Sequence, residues 1–238
     1  MELIIDVGNT RAKAAVFINN GIHKIFYSNH ADEEMLEKLK DFSITSIMIC
    51  TVRKNEDALY EFWSKMAPTF VLTEKTKIPL INRYKTPETL GKDRIAAVIG
   101  ARFLYPEGNL LVIDAGTCIT YDILTADNQY LGGNISPGVR IRFKALNEFT
   151  GALPLVDDYD MELLFGQNTT ESIASGVLNG LFYEIDGAIS AYSSTFHDLK
   201  TIICGGEARY FVNRIKNKIF ANQNLVLLGL HKILQFNA

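Results

Sequence analysis

Two stretches of this chain spell nearly the same thing. Near the start, Leu3-Ile4-Ile5-Asp6-Val7-Gly8-Asn9-Thr10 is an apolar run closing on an acid and a Gly-Asn-Thr turn. Near the middle, Leu111-Val112-Ile113-Asp114-Ala115-Gly116-Thr117 repeats the order. Each stretch then resumes as a second strand-like run, Ala14 to Ile18 and Ile119 to Ile123. The pattern is strand, tight polar turn, strand, used twice. A supersecondary unit repeated inside one chain predicts two similar α/β domains. Their boundary is expected at Tyr105-Pro106-Glu107-Gly108, the clearest turn-forming point between the halves. That divides the chain into 1–106 and 107–238.

The first turn gathers a carboxylate, an amide, a hydroxyl and an ammonium within Asp6 to Lys13. Gly8 lets a ligand approach the backbone where a Cβ would collide. Such a cluster suits a phosphate and its metal ion, and it also suits an ordinary hairpin of turn-favouring residues. The repeat weighs toward the phosphate. Two such turns facing each other across a cleft would clamp a polyphosphate, each Asp holding a cation or its waters, each Gly-Thr binding phosphate oxygens.

Asn20-Gly21 reads as a primed hairpin turn leading to a third antiparallel strand. Asp32 caps a helix to Lys40, and Ser46 to Val52 is apolar enough for a buried parallel strand. A second helix is expected over 56–66. Glu74 to Glu88, which includes Tyr84, reads as a loop able to line a pocket. Gly91-Lys92-Asp93-Arg94 opens a helix of small residues, Ile95 to Ala101, able to pack closely on its neighbours. Leu131 to Gly138 reads as a tight Gly/Pro loop ahead of a helix over 139–149, whose N-terminus could receive an anion. Val156 to Gly166 is acidic and loop-like. Asn168-Thr169-Thr170-Glu171 starts a capped helix reaching about Tyr192. Lys200 to Cys204 is a strand ending in Gly205-Gly206 before a helix, at the strand end where open α/β sheets bind ligands. Asn224 to Phe236 reads as a strand-like run leading into a final helix.

A net charge of −3 leaves no basic footprint for nucleic acid. The three cysteines, Cys50, Cys118 and Cys204, are far apart, without metal-ligand spacing, and odd in number. Free thiols in a reducing compartment are expected. With no signal-peptide pattern and no apolar run of membrane-spanning length, a cytoplasmic protein without a membrane partner is expected. There is no Gly-x4-Gly-Lys-Ser/Thr loop and no Gly-x-Gly-x-x-Gly after a strand, which argues against P-loop and dinucleotide enzymes.

Taken in order, Asp6 to Lys13, Gly91-Lys92-Asp93-Arg94, Asp114 to Thr117, Gly132-Gly133 with Pro137-Gly138, Asn168-Thr169 and Gly205-Gly206 resemble the type III pantothenate kinases. That family lies within the acetate and sugar kinase, heat-shock chaperone and actin superfamily. The resemblance covers nearly the whole chain. It implies two ribonuclease H-like domains of the actin-like ATPase fold, the active site in the cleft between them, and dimerisation helices in the second. It implies that Asp6, Val7, Gly8, Asn9, Thr10, Arg11, Ala12, Lys13 and Thr117 bind ATP, with Mg²⁺ held by Asp6 through water. Asp93 matches the catalytic base. Tyr84, Gly91, Lys92, Asp93, Arg94 and Thr169 match pantothenate-binding positions, Thr169 reaching the pocket from the partner of a homodimer. Asp114 matches a ligand of a monovalent cation, K⁺ or NH₄⁺. The implied reaction is phosphorylation of pantothenate to 4′-phosphopantothenate, the first step of coenzyme A synthesis. A non-catalytic regulatory protein on the same fold, and a kinase of another small molecule, are the rival readings.

Overall fold

The computed structural model describes residues 1–53, 56–158, 163–212 and 214–237. By its internal contacts the chain forms two compact units. The first comprises 1–107, 124–132 and 224–238, the second 108–123 and 133–223. Residues 124–132 and the last helix, which a division at 106/107 groups with the second half, make their contacts in the first unit.

In the first unit, β1 (Glu2–Val7), β2 (Ala12–Ile18) and β3 (Gly21–Ser28) form the antiparallel run expected from the sequence. The turn between β2 and β3 sits one residue earlier than Asn20-Gly21. Ile18 pairs with Gly21, and the two loop residues are Asn19 and Asn20, with φ of 49° and 68°. Both therefore occupy the left-handed region that a primed turn demands and that asparagine tolerates. Asp32 caps α1 (Glu33–Leu39) by accepting from the Glu34 N–H. The chain then enters β4 (Ser46–Thr51), parallel to β1, and passes through α2 (Glu56–Trp63) to β5 (Thr69–Val71), parallel to β4. Leu3, Ile5, Val16, Met35, Ile47, Ile49 and Trp63 fill the core beneath, and the Trp63 indole N–H donates to the Ala31 carbonyl, 3.2 Å.

The 74–88 loop holds a short β6 (Ile81–Asn82), which pairs parallel with Gln129 and Tyr130, and a 3₁₀ turn over Pro87–Thr89. After it, α3 (Lys92–Leu104) packs on α6 (Leu225–Asn237). A Cβ at Gly100 would lie 2.0 Å from the Leu225 carbonyl oxygen, and one at Gly229 would lie 1.8 Å from that of Ala96. The two helices thus meet backbone to backbone, as the small residues of α3 allow. The strand-like run expected from Asn224 is helical from Leu225 onward. A short apolar run cannot be told from a buried helix by periodicity alone.

The second sheet, most of whose residues belong to the second unit, repeats the first. Its strands are β7 (Leu110–Ala115), β8 (Cys118–Leu124), β9 (Gln129–Pro137), β10 (Lys200–Cys204) and β11 (Ile219–Ala221). The order β9-β8-β7-β10-β11 matches β3-β2-β1-β4-β5, with β10 parallel to both β7 and β11 as β4 is to β1 and β5. The duplication extends to register: Asp6 stands opposite Cys50, and Asp114 opposite Cys204. Apart from β6 at the edge of the second, the two sheets share one order, the actin-like duplication the resemblance implies. The helices of this unit are α4 (Val139–Glu148) and α5 (Thr169–Thr195), α5 lying against a core that includes Leu111, Ile113, Tyr121, Phe143 and Ile203. One expectation is corrected here. Leu131 to Pro137 is strand, not loop, because Gly133 lets β9 come close to β8, where a Cβ would meet the Tyr121 carbonyl oxygen at 1.5 Å. Beyond Gly206 the expected helix is a 3₁₀ turn, Ala208–Tyr210. Of the acidic stretch from Val156 to Gly166, residues 159–162 lie outside the described residues.

Candidate active site

Asp6 is half-buried near the end of β1 and faces Lys13 of β2, which in turn faces Tyr27 of β3. Directly opposed residues on neighbouring strands share a sheet face. Tyr27, Lys13, Asp6 and Cys50 therefore form one row across the first sheet. The Arg11 guanidinium lies 4.9 Å from the Tyr27 ring centre and the Lys13 ammonium 5.8 Å. The turn closes on itself through the Gly8 N–H, which donates to the Arg11 carbonyl, 3.1 Å, while Asn9, Thr10 and Arg11 are exposed.

Arg53, which the sequence reading missed, ties this turn to the end of β4. Its Nε donates to the Gly8 carbonyl, 2.9 Å, and its Nη2 to the Asn9 carbonyl, 3.1 Å. The only signal was a cation just past the end of a buried strand, which says nothing of its target.

Asp93 stands in the first turn of α3, where the helix dipole favours a negative charge. Its Oδ1 accepts from the Arg94 N–H, 2.9 Å, and a Cβ at Gly91 would come within 2.7 Å of that oxygen. Gly91 is the residue that leaves the carboxylate its place. The Cys50 thiol is buried, and burial pushes its pKa well up; the negative charges of Asp6 and then Asp93 push it further. Two carboxylates far apart in the chain thus both bear on one buried thiol.

Beside Gly91 lies a cleft of about 660 Å³, lined by Thr51, Val52, Arg53, Glu56, Gly91 and Lys92 among others. Lys92 is ion-paired with Glu56 at the start of α2. Arg94 is only 5 % exposed, and its guanidinium lies 5.7 Å from the Tyr84 ring centre. Tyr84 is set from two sides. Its N–H donates to Asn82 Oδ1, 2.9 Å, and its ring packs on Gly132, where φ is +97° and a Cβ would approach to 3.0 Å. Tyr84, Gly91, Lys92, Asp93 and Arg94 are therefore brought together in the first unit, to which Asp6 also belongs.

The second unit builds a corresponding cluster around Asp114. The Gly116 N–H donates to the Cys118 carbonyl, 3.0 Å, and the Gly138 N–H to the Thr117 carbonyl, 3.1 Å. Gly205, at φ +90°, approaches so closely that a Cβ would lie 2.4 Å from Asp114 Oδ1. Glu207 was not singled out in the sequence, although it directly follows the glycine pair. Its N–H donates to the Ala115 carbonyl, 2.9 Å. Burial raises the pKa of its carboxyl against the opposing pull of the Val139 N–H and the Arg140 charge. The first turn of α4, which the sequence offered to an anion, thus meets a carboxyl group of the chain itself. Thr117 is exposed at the turn, and Thr169 is the exposed first residue of α5, just after its capping residue Asn168, which accepts from the Glu171 N–H.

The family model for type III pantothenate kinases matches residues 2–191. The chain belongs to the type III pantothenate kinase family. It is 44% identical over 240 residues to a type III pantothenate kinase of Christiangramia forsetii, covering 100% of this chain and 99% of that one. Among solved structures, a Campylobacter jejuni protein described as a Baf family transcriptional activator aligns with a TM-score of 0.64 at 23% identity, over 99% of this chain and 98% of its own. A ROK family glucokinase from Streptomyces griseus, in complex with glucose and AMPPNP, aligns with a TM-score of 0.53 at 12% identity over 96% and 97%. These two show the fold that the pantothenate kinase family shares with sugar kinases. Among the described residues, no helix is long and apolar enough to cross a membrane.

Proposed function

We propose that this kinase transfers the γ-phosphoryl group of ATP to the 4′-hydroxyl of pantothenate, giving 4′-phosphopantothenate at the start of coenzyme A synthesis. The observation that carries this reading is the start of α3, where Gly91 leaves room for the Asp93 carboxylate and the next residue, buried Arg94, holds its guanidinium 5.7 Å from the Tyr84 ring centre. It sets an acid and a guanidinium fork on consecutive residues, as an acceptor carrying both a hydroxyl and a carboxylate requires. Asp6 to Lys13 and Thr117 hold the triphosphate. Asp93 orients the acceptor hydroxyl and takes its proton as the new P–O bond forms. Phosphoryl transfer passes through a loose transition state, so catalysis is alignment and charge neutralisation. An ordinary carboxylate is a weak base, and it suffices when the proton leaves late. Tyr84, Gly91, Lys92, Arg94 and Thr169 bind pantothenate, the Arg94 fork matching its carboxylate.

Among the described residues no three acidic, histidine or cysteine side chains cluster as a metal cage. That fits Mg²⁺, which is held by one or two carboxylates, waters and substrate phosphates. Asp6 would hold it through water, and it would neutralise phosphate charge. Asp114, crowded by the carbonyl-rich turns at Gly116 and Gly205, suits a monovalent cation, K⁺ or NH₄⁺. The protein works as a cytoplasmic homodimer, without nucleic acid or membrane partners. The intact Asp93–Arg94 pair favours an enzyme over a regulatory protein.

The test is a coupled ATP assay with pantothenate, with and without potassium or ammonium. Turnover that requires pantothenate and one of the cations is expected, and no turnover with pantothenate refutes the reading. D93N should lower kcat by about a hundredfold or more, the contribution of a positioned general base. Full turnover by D93N would remove Asp93 from that role.

A further inference from the structure

The turn that follows β1 does not hold its shape alone. The Val52 N–H donates to the Val7 carbonyl, 3.2 Å, and Arg53 then reaches both of the next two carbonyls, Gly8 and Asn9, through Nε and Nη2. Its own N–H donates to the hydroxyl of buried Thr51, 3.0 Å, which anchors the arginine's backbone to the end of β4. A guanidinium is a flat, rigid fork. Two carbonyls caught on one fork must point the same way.

That alignment has a consequence for the opposite side of the turn. No peptide bond among the described residues is cis. In a trans peptide the C=O and the following N–H point in opposite directions. With the Gly8 and Asn9 carbonyls drawn toward Arg53, the N–H groups of Asn9 and Thr10 are turned away from it, side by side. Two successive N–H groups presented to one side make an anion-binding concavity.

We propose that Arg53 is a positioning residue for the phosphates of ATP: it sets the two peptide planes whose N–H groups receive them. The proposal rests on the reading of Asp6 to Lys13 as the phosphate loop. Arg53 acts through the loop backbone, so its loss weakens the nucleotide and leaves the pantothenate side, built from Tyr84 and Gly91 to Arg94, in place.

The experiment compares wild type, R53A, R53K and K13A by steady-state kinetics in both substrates, ATP titration calorimetry and thermal melting. R53A should raise KM and Kd for ATP about tenfold, the scale of losing hydrogen bonds made by a charged group. KM for pantothenate should stay within about twofold, below what losing one such hydrogen bond would cost. R53K keeps the charge but lacks the fork, and it should resemble R53A. Wild-type ATP affinity in R53K shows that charge alone suffices and overturns the proposal. So does wild-type ATP affinity in R53A while K13A is impaired, or an equal loss toward both substrates with a lowered melting temperature, which marks general damage. If K13A itself binds ATP as wild type does, the phosphate-loop reading fails, and this proposal with it.

Discussion

Gly91 shows how much one missing methyl group decides. Its neighbour two residues on, Asp93, keeps a carboxylate oxygen where a Cβ on residue 91 would intrude at 2.7 Å, and the Arg94 side chain would be crowded at 3.3 Å. G91A should therefore displace the proposed base rather than unfold the helix. Misplacing a reacting group by about an ångström costs on the order of a hundredfold in rate. The expected result is a kcat lowered on that scale with a melting temperature close to wild type, and a kcat unchanged in G91A would show that the carboxylate is not held for catalysis. A Gly-Lys-Asp-Arg tetrad is legible in the sequence because its residues act on one another within a single helical turn. Arg53 was not legible, because its partners Gly8 and Asn9 lie in the turn between β1 and β2, far away in the chain, and nothing local to Arg53 points to them.

Among the elements, α6 is the one whose place depends most on close fit. At Gly229 a Cβ would sit 1.8 Å from a backbone oxygen of α3, and backbone cannot swing aside as a flexible side chain can. G229A should force the helices apart and lower stability by about 2 kcal/mol, the typical cost of overpacking, read as a lower midpoint in urea. The same helix carries His231, buried, stacked on Phe17 at 4.0 Å between ring centres and bonded to Glu2 at 2.7 Å. Burial lowers its pKa from the ordinary 6.5, against the opposing pull of Glu2, with Lys232 adding to the lowering. The unfolded chain then binds more protons than the folded one over the window just below about pH 6.5, so stability rises with pH there and is lost as pH falls. Melting temperatures of wild type should drop as the pH is lowered from about 7 through 6, and the drop should shrink in H231Q, which has no imidazole to protonate. A parallel fall in both proteins would assign it to other groups.

On the scale of the whole molecule, the duplication is the organising fact. Both sheets share a five-strand order, to which the second adds β6, both first strands carry an acid as their next-to-last residue, and both acids face a buried cysteine in register. The two copies have diverged in what surrounds those acids: Asp6 faces Lys13, whereas Asp114 has Gly205 and the turn at Gly116. Under the proposed function, that divergence leaves one copy for the reacting phosphate and acceptor and the other for a monovalent cation. The proposed homodimer makes a further prediction, since a pocket completed by the partner's Thr169 lets two defective chains rescue one another. T169V alone should raise KM for pantothenate and D93N alone should be nearly inactive. A random mixture of the two places both defects in one site of each mixed dimer and leaves the other site intact. Activity should then recover to about a quarter of wild type, as two-fold symmetry requires. A mixture at subsaturating pantothenate no more active than the average of its parts would show that each chain builds its site alone.

The repeat, the two acid-bearing turns, the Gly-Lys-Asp-Arg helix start and the capped helices at Asp32 and Asn168 were determined by the sequence itself. In each, a few adjacent residues satisfy one another's geometry, and the pattern survives in one dimension. Other features were decided only by tertiary structure. They include the strand from Leu131 to Pro137 where glycines suggested a loop, the helix from Leu225 where leucines suggested a strand, and the reach of Arg53 to the Gly8 and Asn9 carbonyls. Each depends on which backbone lies alongside, and on how near it comes. That is set by strand register and helix packing across long separations, which local propensity does not encode.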